Sequence, residues 1–202
     1  MTGKNGYRTL EHTFPPEFDE NSEILILGSF TSVMSRETNF YYGHPKNRFW
    51  PLIADIFGED LPSSVEEKKA LLQRNRIALW DVIAKCDISG SSDSSIRNVE
   101  ANDVNLILKS SKVGRIYTNG RKAFDLYNRY CLEKTEREAV LLPSTSPANA
   151  AFSYEKLRKA WAEIGNFLWR KHSLSAYFWR LQMCTRLLKP RLRLPNCGRK
   201  PG

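Results

Sequence analysis

The chain has 202 residues, enough for one domain with a tail, and its 41% hydrophobic content supports a buried core. The formal net charge of +9 has one address: from Arg170 to Gly202 there are nine Lys/Arg and no Asp/Glu, leaving 22 basic and 22 acidic residues before it. A neutral body excludes bulk charge as the reason for binding by the folded part. No run of about 18 apolar residues offers a membrane span, and Cys86, Cys131, Cys184 and Cys197, without a CxxC pair, suggest neither a disulfide framework nor a metal or iron–sulfur site.

Residues 1–22 are polar and lack an apolar signal segment, so an intracellular, cytoplasmic protein is expected, nucleoid-associated in a prokaryote. Phe14-Pro-Pro16 reads as part of an extended leader lying against the domain. Glu23–Gly28 is a short apolar run ended by Gly28-Ser29 and reads as a buried central strand.

The next stretch organises the chain: Asn39-Phe-Tyr-Tyr-Gly-His-Pro-Lys-Asn-Arg-Phe-Trp50. A surface loop seldom holds so many aromatics, because each one left in water forgoes about 1.5–3 kcal/mol of burial. A plain strand would not contain Gly43-His44-Pro45, since proline lacks the ladder N–H. A shaped loop with flat side chains and a few polar groups suits a pocket for a flat ligand; a buried aromatic connection is the competing interpretation. Phe49, Trp50, Trp80 and Trp161 read as core, and Arg48 as an anchor of the loop. Asn47 is placed to cap a helix through Phe57, with Pro51 tolerated in its first turn and Gly58 as its stop.

Ser64-x-x-Glu67 reads as a capping box opening a helix over Val65–Asn75. Arg76–Ile83 reads as a strand that runs into a second loop, with Trp80-Asp81 at the rim of the same pocket. Residues 87–103, rich in Ser, Asp and Asn, read as a polar, mobile loop. A short helix over Val104–Ser110 leads to a strand over Val113–Thr118, which ends in Asn119-Gly120. A helix from Arg121 to about Leu132, a strand over Glu138–Leu142 and the segment Pro143-Ser-Thr-Ser-Pro-Ala-Asn149 follow. The helix Tyr154–Trp169 carries Leu157, Ala160, Trp161, Ile164 and Leu168 on one face. Residues 1–170 form the expected domain and 171–202 a basic tail outside it.

Strands alternating with helices predict an α/β protein, a three-layer α/β/α sandwich around a mostly parallel four-stranded sheet. Parallel strands bring three unusual strand ends to one edge: Gly28-Ser29 with its loop, Asn119-Gly120, and the segment from Pro143 to Asn149. No phosphate-binding glycine motif occurs. Of His12, His44 and His172, only His44 lies beside a candidate loop, so a Ser-His-Asp arrangement is not indicated, and Glu37 and Asp81 are the nearest carboxylates. Amides, hydroxyls and aromatic faces suit holding a flat heterocycle by stacking and edge hydrogen bonds, as with a base flipped out of a duplex.

Gly28-Ser-Phe-Thr-Ser32, Asn39 through Trp50, and Leu142-Pro-Ser-Thr-Ser-Pro-Ala-Asn149 together resemble the uracil-DNA glycosylase superfamily, and within it most closely the hypoxanthine-DNA (deoxyinosine) glycosylase branch, family six. The resemblance covers about residues 20–170. It implies a monofunctional DNA glycosylase of base excision repair, a monomer that needs no cofactor or metal and acts on double-stranded DNA containing a deaminated base. It implies that Asn39 positions water or the base in catalysis and that Gly28, Ser29, Tyr42 and Asn119 bind the base. His44, Ser144, Ser146, Pro147, Ala148 and Asn149 would meet the DNA, the serines at phosphates and the Pro147–Asn149 segment as the wedge. Phe30-Thr31 stands where many relatives carry a carboxylate or amide that activates water, which points away from uracil and toward hypoxanthine. Two other readings stay open: a same-fold enzyme for uracil, xanthine or thymine opposite guanine, and a non-catalytic module that binds damaged DNA.

Overall fold

The computed structural model describes residues 7–89 and 95–171. The chain parts into two units, Met1–Leu168 and Trp169–Gly202, and the first holds every element except the end of the last helix. The expected basic tail lies, from residue 172 on, outside the described residues.

The main sheet is four-stranded and wholly parallel. It contains β2 (Ile24–Gly28), β3 (Ile77–Asp81), β6 (Arg115–Asn119) and β7 (Ala139–Leu142), in the order β3-β2-β6-β7. Every residue of β2 and β3 is buried, as expected of near-continuous apolar strands covered on both faces. The register pairs Gly28 with Asp81 and Asn119 with Leu142. All four strands thus end at one edge, the edge where ligands meet such sheets. The outer side of β3 is covered by the leader, where Glu17 and Leu79 exchange backbone hydrogen bonds of 3.0 and 2.8 Å.

Helices flank the sheet. α1 (Val33–Glu37), α2 (Phe49–Phe57) and α3 (Val65–Arg74) connect β2 to β3. The connection from β3 to β6 includes α4 (Asn105–Ser110), and α5 (Arg121–Tyr130) with the short α6 (Leu132–Thr135) joins β6 to β7. The strand order reverses direction at β2, so right-handed crossovers put α2 and α3 on one face and α4 and α5 on the other. The last helix, α7 (Tyr154–Lys171), joins α2: Trp161 meets Phe49 edge-on at 5.8 Å, and Tyr154 donates to the Pro51 carbonyl at 3.1 Å. The expected three-layer sandwich is the observed fold.

Two expectations need correction. No loop begins at Ile83. After one intervening residue the chain bends into β4 (Ile83–Ser89), which pairs antiparallel with β1 (Tyr7–Glu11) and β5 (Arg97–Ala101) in a second sheet of order β1-β4-β5. Of the twelve described residues in the expected polar loop over 87–103, eight (87–89 and 97–101) are therefore strand, and residues 90–94 lie outside the described part. Cys86 and Ile88 point inward while Lys85 and Asp87 are less covered, a period-two pattern hidden beneath the polar composition. Within the leader, Tyr7–Glu11 is likewise a paired strand.

The capping box at α3 is also displaced by one residue. Ser64 Oγ accepts from Glu67 N at 3.1 Å, but the Glu67 carboxylate accepts from the N and Oγ of Ser63, at 2.6 and 2.8 Å. At α2 the cap works from Asn47, whose Oδ1 accepts from Phe49 N at 3.0 Å.

Candidate active site

The first wall of the site is the loop after β2. α1 opens on Ser32, whose Oγ accepts from Ser35 N at 3.1 Å. Ser35 Oγ in turn accepts from Gly43 N at 3.2 Å, which folds the aromatic stretch back over α1. Phe40 and Tyr41 are core residues, 5% and 3% exposed. Trp50 Nε1 donates to the Tyr41 carbonyl at 3.0 Å, and Tyr41 Oη donates to the Pro15 carbonyl at 2.9 Å. Two of the three consecutive aromatics therefore build the loop instead of lining it.

Tyr42 is different. Its ring stacks on Phe49 at 3.9 Å with an interplanar angle of 22°, so a base can stack only on its other face. Its φ of 53° lies in the left-handed region, at a cost of roughly 1–2 kcal/mol for a residue with a Cβ. Its hydroxyl is buried without a hydrogen bond of normal geometry. Burial, then the nearby Asp81 charge, raise its pKa, and the neighbouring Asn119 amide opposes that shift. Asn39 also takes a positive φ, 50°, and is exposed beyond the C-terminus of α1. Asparagine tolerates this conformation well. His44 is partly exposed, with Nδ1 accepting from Lys46 N at 3.0 Å.

The second wall is the segment after β7. Asn119, at the end of β6, grips Thr145 from two sides: Nδ2 donates to Oγ1 and Oδ1 accepts from the backbone N, both at 2.9 Å. One Nδ2 proton and one Oδ1 lone pair remain for a ligand. Gly120 has φ 97°, and a Cβ there would meet Ser144 Cβ at 2.9 Å, so only glycine allows the two strand ends to close. Ser144 Oγ accepts from Ser146 N and Ser146 Oγ from Ala148 N, each at 3.2 Å, while Asn149 Nδ2 donates to the Ser144 carbonyl at 2.9 Å. Pro147 and Ala148 are exposed at the tip.

Arg48 joins the two walls, as its reading as an anchor requires. Its Nη1 donates to the Phe152 carbonyl at 2.6 Å and its Nη2 to the Ser146 and Asn149 carbonyls at 2.6 and 3.1 Å. Its Nε and its backbone N also donate to the Thr145 carbonyl, at 3.3 and 3.1 Å.

The floor is Gly28-Ser29 with Asp81 and a residue that sequence position gave no reason to choose, His12. Asp81 Oδ1 lies 2.1 Å from where a Gly28 Cβ would stand, and Tyr42 Oη lies 3.6 Å from the same point. Any side chain at Gly28 would displace the carboxylate. His12 Nε2 lies 2.9 Å from Asp81 Oδ2, and both side chains are buried. His12 comes from the turn after β1, whose last residue, Glu11, pairs with Lys85, so the second sheet delivers it. A histidine just beyond a strand end carries no sequence signal of this kind, and only the pairing of β1 with β4 brings it to Asp81. Phe30 and Thr31 supply no carboxylate, and Thr31 is buried with its carbonyl accepting from Arg36 Nη1 at 2.6 Å.

Gly28, Tyr42 and Asn119 therefore meet at the strand ends, and Ser144, Ser146 and Asn149 form the adjoining wall. Asn39 and His44 lie on the loop that runs over them. The arrangement can hold a flat polar ring between aromatic and amide groups and present preorganised donors to it.

The uracil DNA glycosylase superfamily model matches residues 15–165. Two proteins called hypoxanthine DNA glycosylase are similar to the chain. One, from Methanosarcina acetivorans, is 42% identical over 146 residues, 71% of this chain and 91% of the relative. The other, from Methanosarcina barkeri, is 37% identical over 152 residues, 74% of this chain and 94% of the relative. A solution NMR structure of a candidate uracil DNA glycosylase from Methanosarcina acetivorans superposes with a TM-score of 0.66 at 37% identity, covering 78% of this chain and 99% of that one.

Proposed function

We propose that this chain, which belongs to the uracil DNA glycosylase superfamily, removes hypoxanthine from deoxyinosine in double-stranded DNA as a monofunctional glycosylase of base excision repair. The observation that carries this reading is the 42% identity, over nine-tenths of its length, to a relative named for that base. The nucleotide leaves the stack and its base enters the site between the two walls. The bond from the sugar C1′ to N9 breaks with its electron pair going to the base. A water oxygen adds to C1′, and its displaced proton balances the charge on the base. Free hypoxanthine and an abasic sugar result.

Negative charge grows on the departing base, so donors fixed before the reaction are worth most; removing one such donor typically costs about 10²–10³ in rate. The backbone N–H groups around Gly28 and Ser29 and the remaining Asn119 proton take this part. Tyr42 stacks on the base. Asn39 orients the water, a task an amide can do without acting as a strong base. His44, Ser144 and Ser146 hold the flanking phosphates, and Pro147, Ala148 and Asn149 fill the gap left in the stack. The protein works as a monomer. The basic stretch beyond Arg170 adds affinity without sequence preference, with the salt dependence that counterion release demands.

The test is abasic-site cleavage of labelled duplexes carrying one hypoxanthine, uracil or xanthine, with wild type and Asn39→Ala. Cleavage confined to hypoxanthine and lost in the variant supports substrate and residue together. A preference for uracil moves the substrate assignment. Binding of damaged duplex without release of any base overturns catalysis.

A further inference from the structure

Among the described residues no side-chain hydrogen bond holds Asn39, which is exposed at a φ of 50°. Its aim is therefore set by the backbone around it, and that backbone forms one unit with α1. Thr38 donates from both its N and its Oγ1 to the Met34 carbonyl, at 3.0 Å each. Phe40 N donates to the Ser35 carbonyl at 3.0 Å, and Gly43 N closes the unit on Ser35 Oγ. Such bonds fix the loop to α1 but not to the sheet. α1 is only five residues long, so the unit needs a mount on the rest of the domain.

Tyr41 supplies one. Its Oη donates to the Pro15 carbonyl at 2.9 Å, and its own carbonyl accepts from Trp50 Nε1 at 3.0 Å. Its ring meets Phe14 edge-on at 4.7 Å and 86°, and Phe14 in turn meets the His12 ring at 4.6 Å. The leader that carries these groups is itself fixed twice. His12 N donates to the Ala84 carbonyl at 2.7 Å, and Glu17 exchanges backbone bonds with Leu79. A phenyl ring alone would fill the apolar space around Tyr41; the hydroxyl adds a directed bond across 26 residues of chain. Burial, then the Asp81 charge, raise the Tyr41 pKa, so the hydroxyl stays a donor well above neutral pH.

We propose that Tyr41 is a positioning residue for Asn39, and that the leader over His12–Pro15 supports the active site by holding the Tyr41 hydroxyl and ring. Tyr41 in this role deepens the glycosylase reading, on which the assignment rests. Tyr42 depends less on the same mount, because its ring also lies on Phe49 at 3.9 Å. Asn39 has no such second support. Displacing a positioned group by about 1 Å can cost about 10²-fold in rate. A loop loosened at Tyr41 therefore slows the chemistry while the phosphate contacts of the wall after β7 remain.

The experiment uses the full chain at saturating enzyme, under single-turnover conditions, on duplexes with one hypoxanthine or one uracil. Binding to a duplex containing a tetrahydrofuran abasic analogue serves as the control. Tyr41→Phe keeps the ring and removes the bond to Pro15. Excision is expected to fall about tenfold, the factor that one hydrogen bond sets between two arrangements. Abasic binding is kept within about twofold, since phosphate contacts dominate it. Hydrogen exchange at the amides of residues 39–43 should quicken in the same variant. Phe14→Leu leaves the hydroxyl bond and removes the ring contact, for an expected fall of about threefold. The decisive comparison places Tyr41→Phe in the Asn39→Gly background. Because Tyr41 acts through the Asn39 amide, its effect there shrinks to less than about twofold. An equal loss in both backgrounds overturns the proposal and leaves Tyr41 a structural part of the core. So does a Tyr41→Phe protein that excises at the wild-type rate. A wild type that releases only uracil, with the same collapse of the Tyr41 effect, overturns the substrate assignment and supports the positioning role. A wild type inert on every base overturns both.

Discussion

Asn119 holds Thr145 through both ends of its amide, donating to Oγ1 and accepting from the backbone N at 2.9 Å each. Thr145 is wholly buried, so neither bond can be replaced by water. One side chain at the end of β6 thus fixes the loop after β7. Asn119→Ala removes both bonds and should cost about 2–4 kcal/mol of stability in urea unfolding. Asn119→Asp keeps the acceptor for the Thr145 N–H, and the Thr145 hydroxyl can turn to donate, so its loss should stay near 1 kcal/mol. If the two variants prove equally stable, the contact does not hold the loop.

Arg48 makes the complementary prediction. Its guanidinium donates to the carbonyls of Thr145, Ser146, Asn149 and Phe152, a fan that the rigid fork of an arginine can fill and the point charge of a lysine cannot. Arg48→Lys should destabilise the protein by about 2 kcal/mol and open residues 144–152 to limited proteolysis. The charge is turned to backbone oxygens and away from phosphates. The salt slope of DNA binding should therefore be the same in the charge-removing Arg48→Met and in wild type, and a slope reduced by about one would show a phosphate contact instead.

The sequence made the main sheet legible because its strands are short apolar runs closed by polar or glycine residues, and parallel pairing then forces their ends to one edge. Asn119-Gly120 and Pro143–Asn149 stood out for that reason. The role of Arg48 could be read from its place beside an aromatic loop that needed an anchor. The second sheet was hidden. Lys85, Asp87 and the serines beyond them look like a solvated loop, because an edge sheet with one wet face has nearly the composition of a loop. With β4 missed, nothing could bring His12 to Asp81, residues far apart in the chain. Likewise Phe40, Tyr41 and Tyr42 are indistinguishable as letters. The left-handed backbone at Tyr42 separates it from two core neighbours, and that is a property of the folded loop.

Alkaline pH should unfold the protein through groups that fold in their protonated form. Burial, with the Asp81 charge second, raises the pKa of both Tyr41 and Tyr42 above the ordinary tyrosine value of 10.0. Burial also pushes the Cys131 thiol up from 9.0 to about 11. The unfolded chain therefore releases these protons first. The stabilisation is complete below the unfolded values and declines as pH rises through them toward the folded ones. The urea midpoint should be level to about pH 8 and fall from about pH 9 upward. Cys131→Ser, which cannot ionise there, should flatten the first part of that decline. An unchanged slope in the variant would mean that the thiol is not held protonated by the fold.

Asn39 combines a chemical assignment with a conformational one, and the two can be separated. Its φ of 50° is a conformation glycine adopts without strain and alanine does not. Asn39→Ala alone is ambiguous, because a lost amide and a distorted loop would both slow excision. Asn39→Gly keeps the backbone and removes only the amide. Its stability should match wild type to within about 1 kcal/mol, while Asn39→Ala loses about 1–2 kcal/mol from the left-handed penalty. If the amide orients the attacking water, both variants should lose roughly 10²–10⁴-fold in single-turnover rate, and Tyr42, on the same loop, should stay in place in the glycine protein. A glycine variant that excises at the wild-type rate would mean that position 39 serves the turn alone, and the search for the water-orienting group would move to the floor of the site.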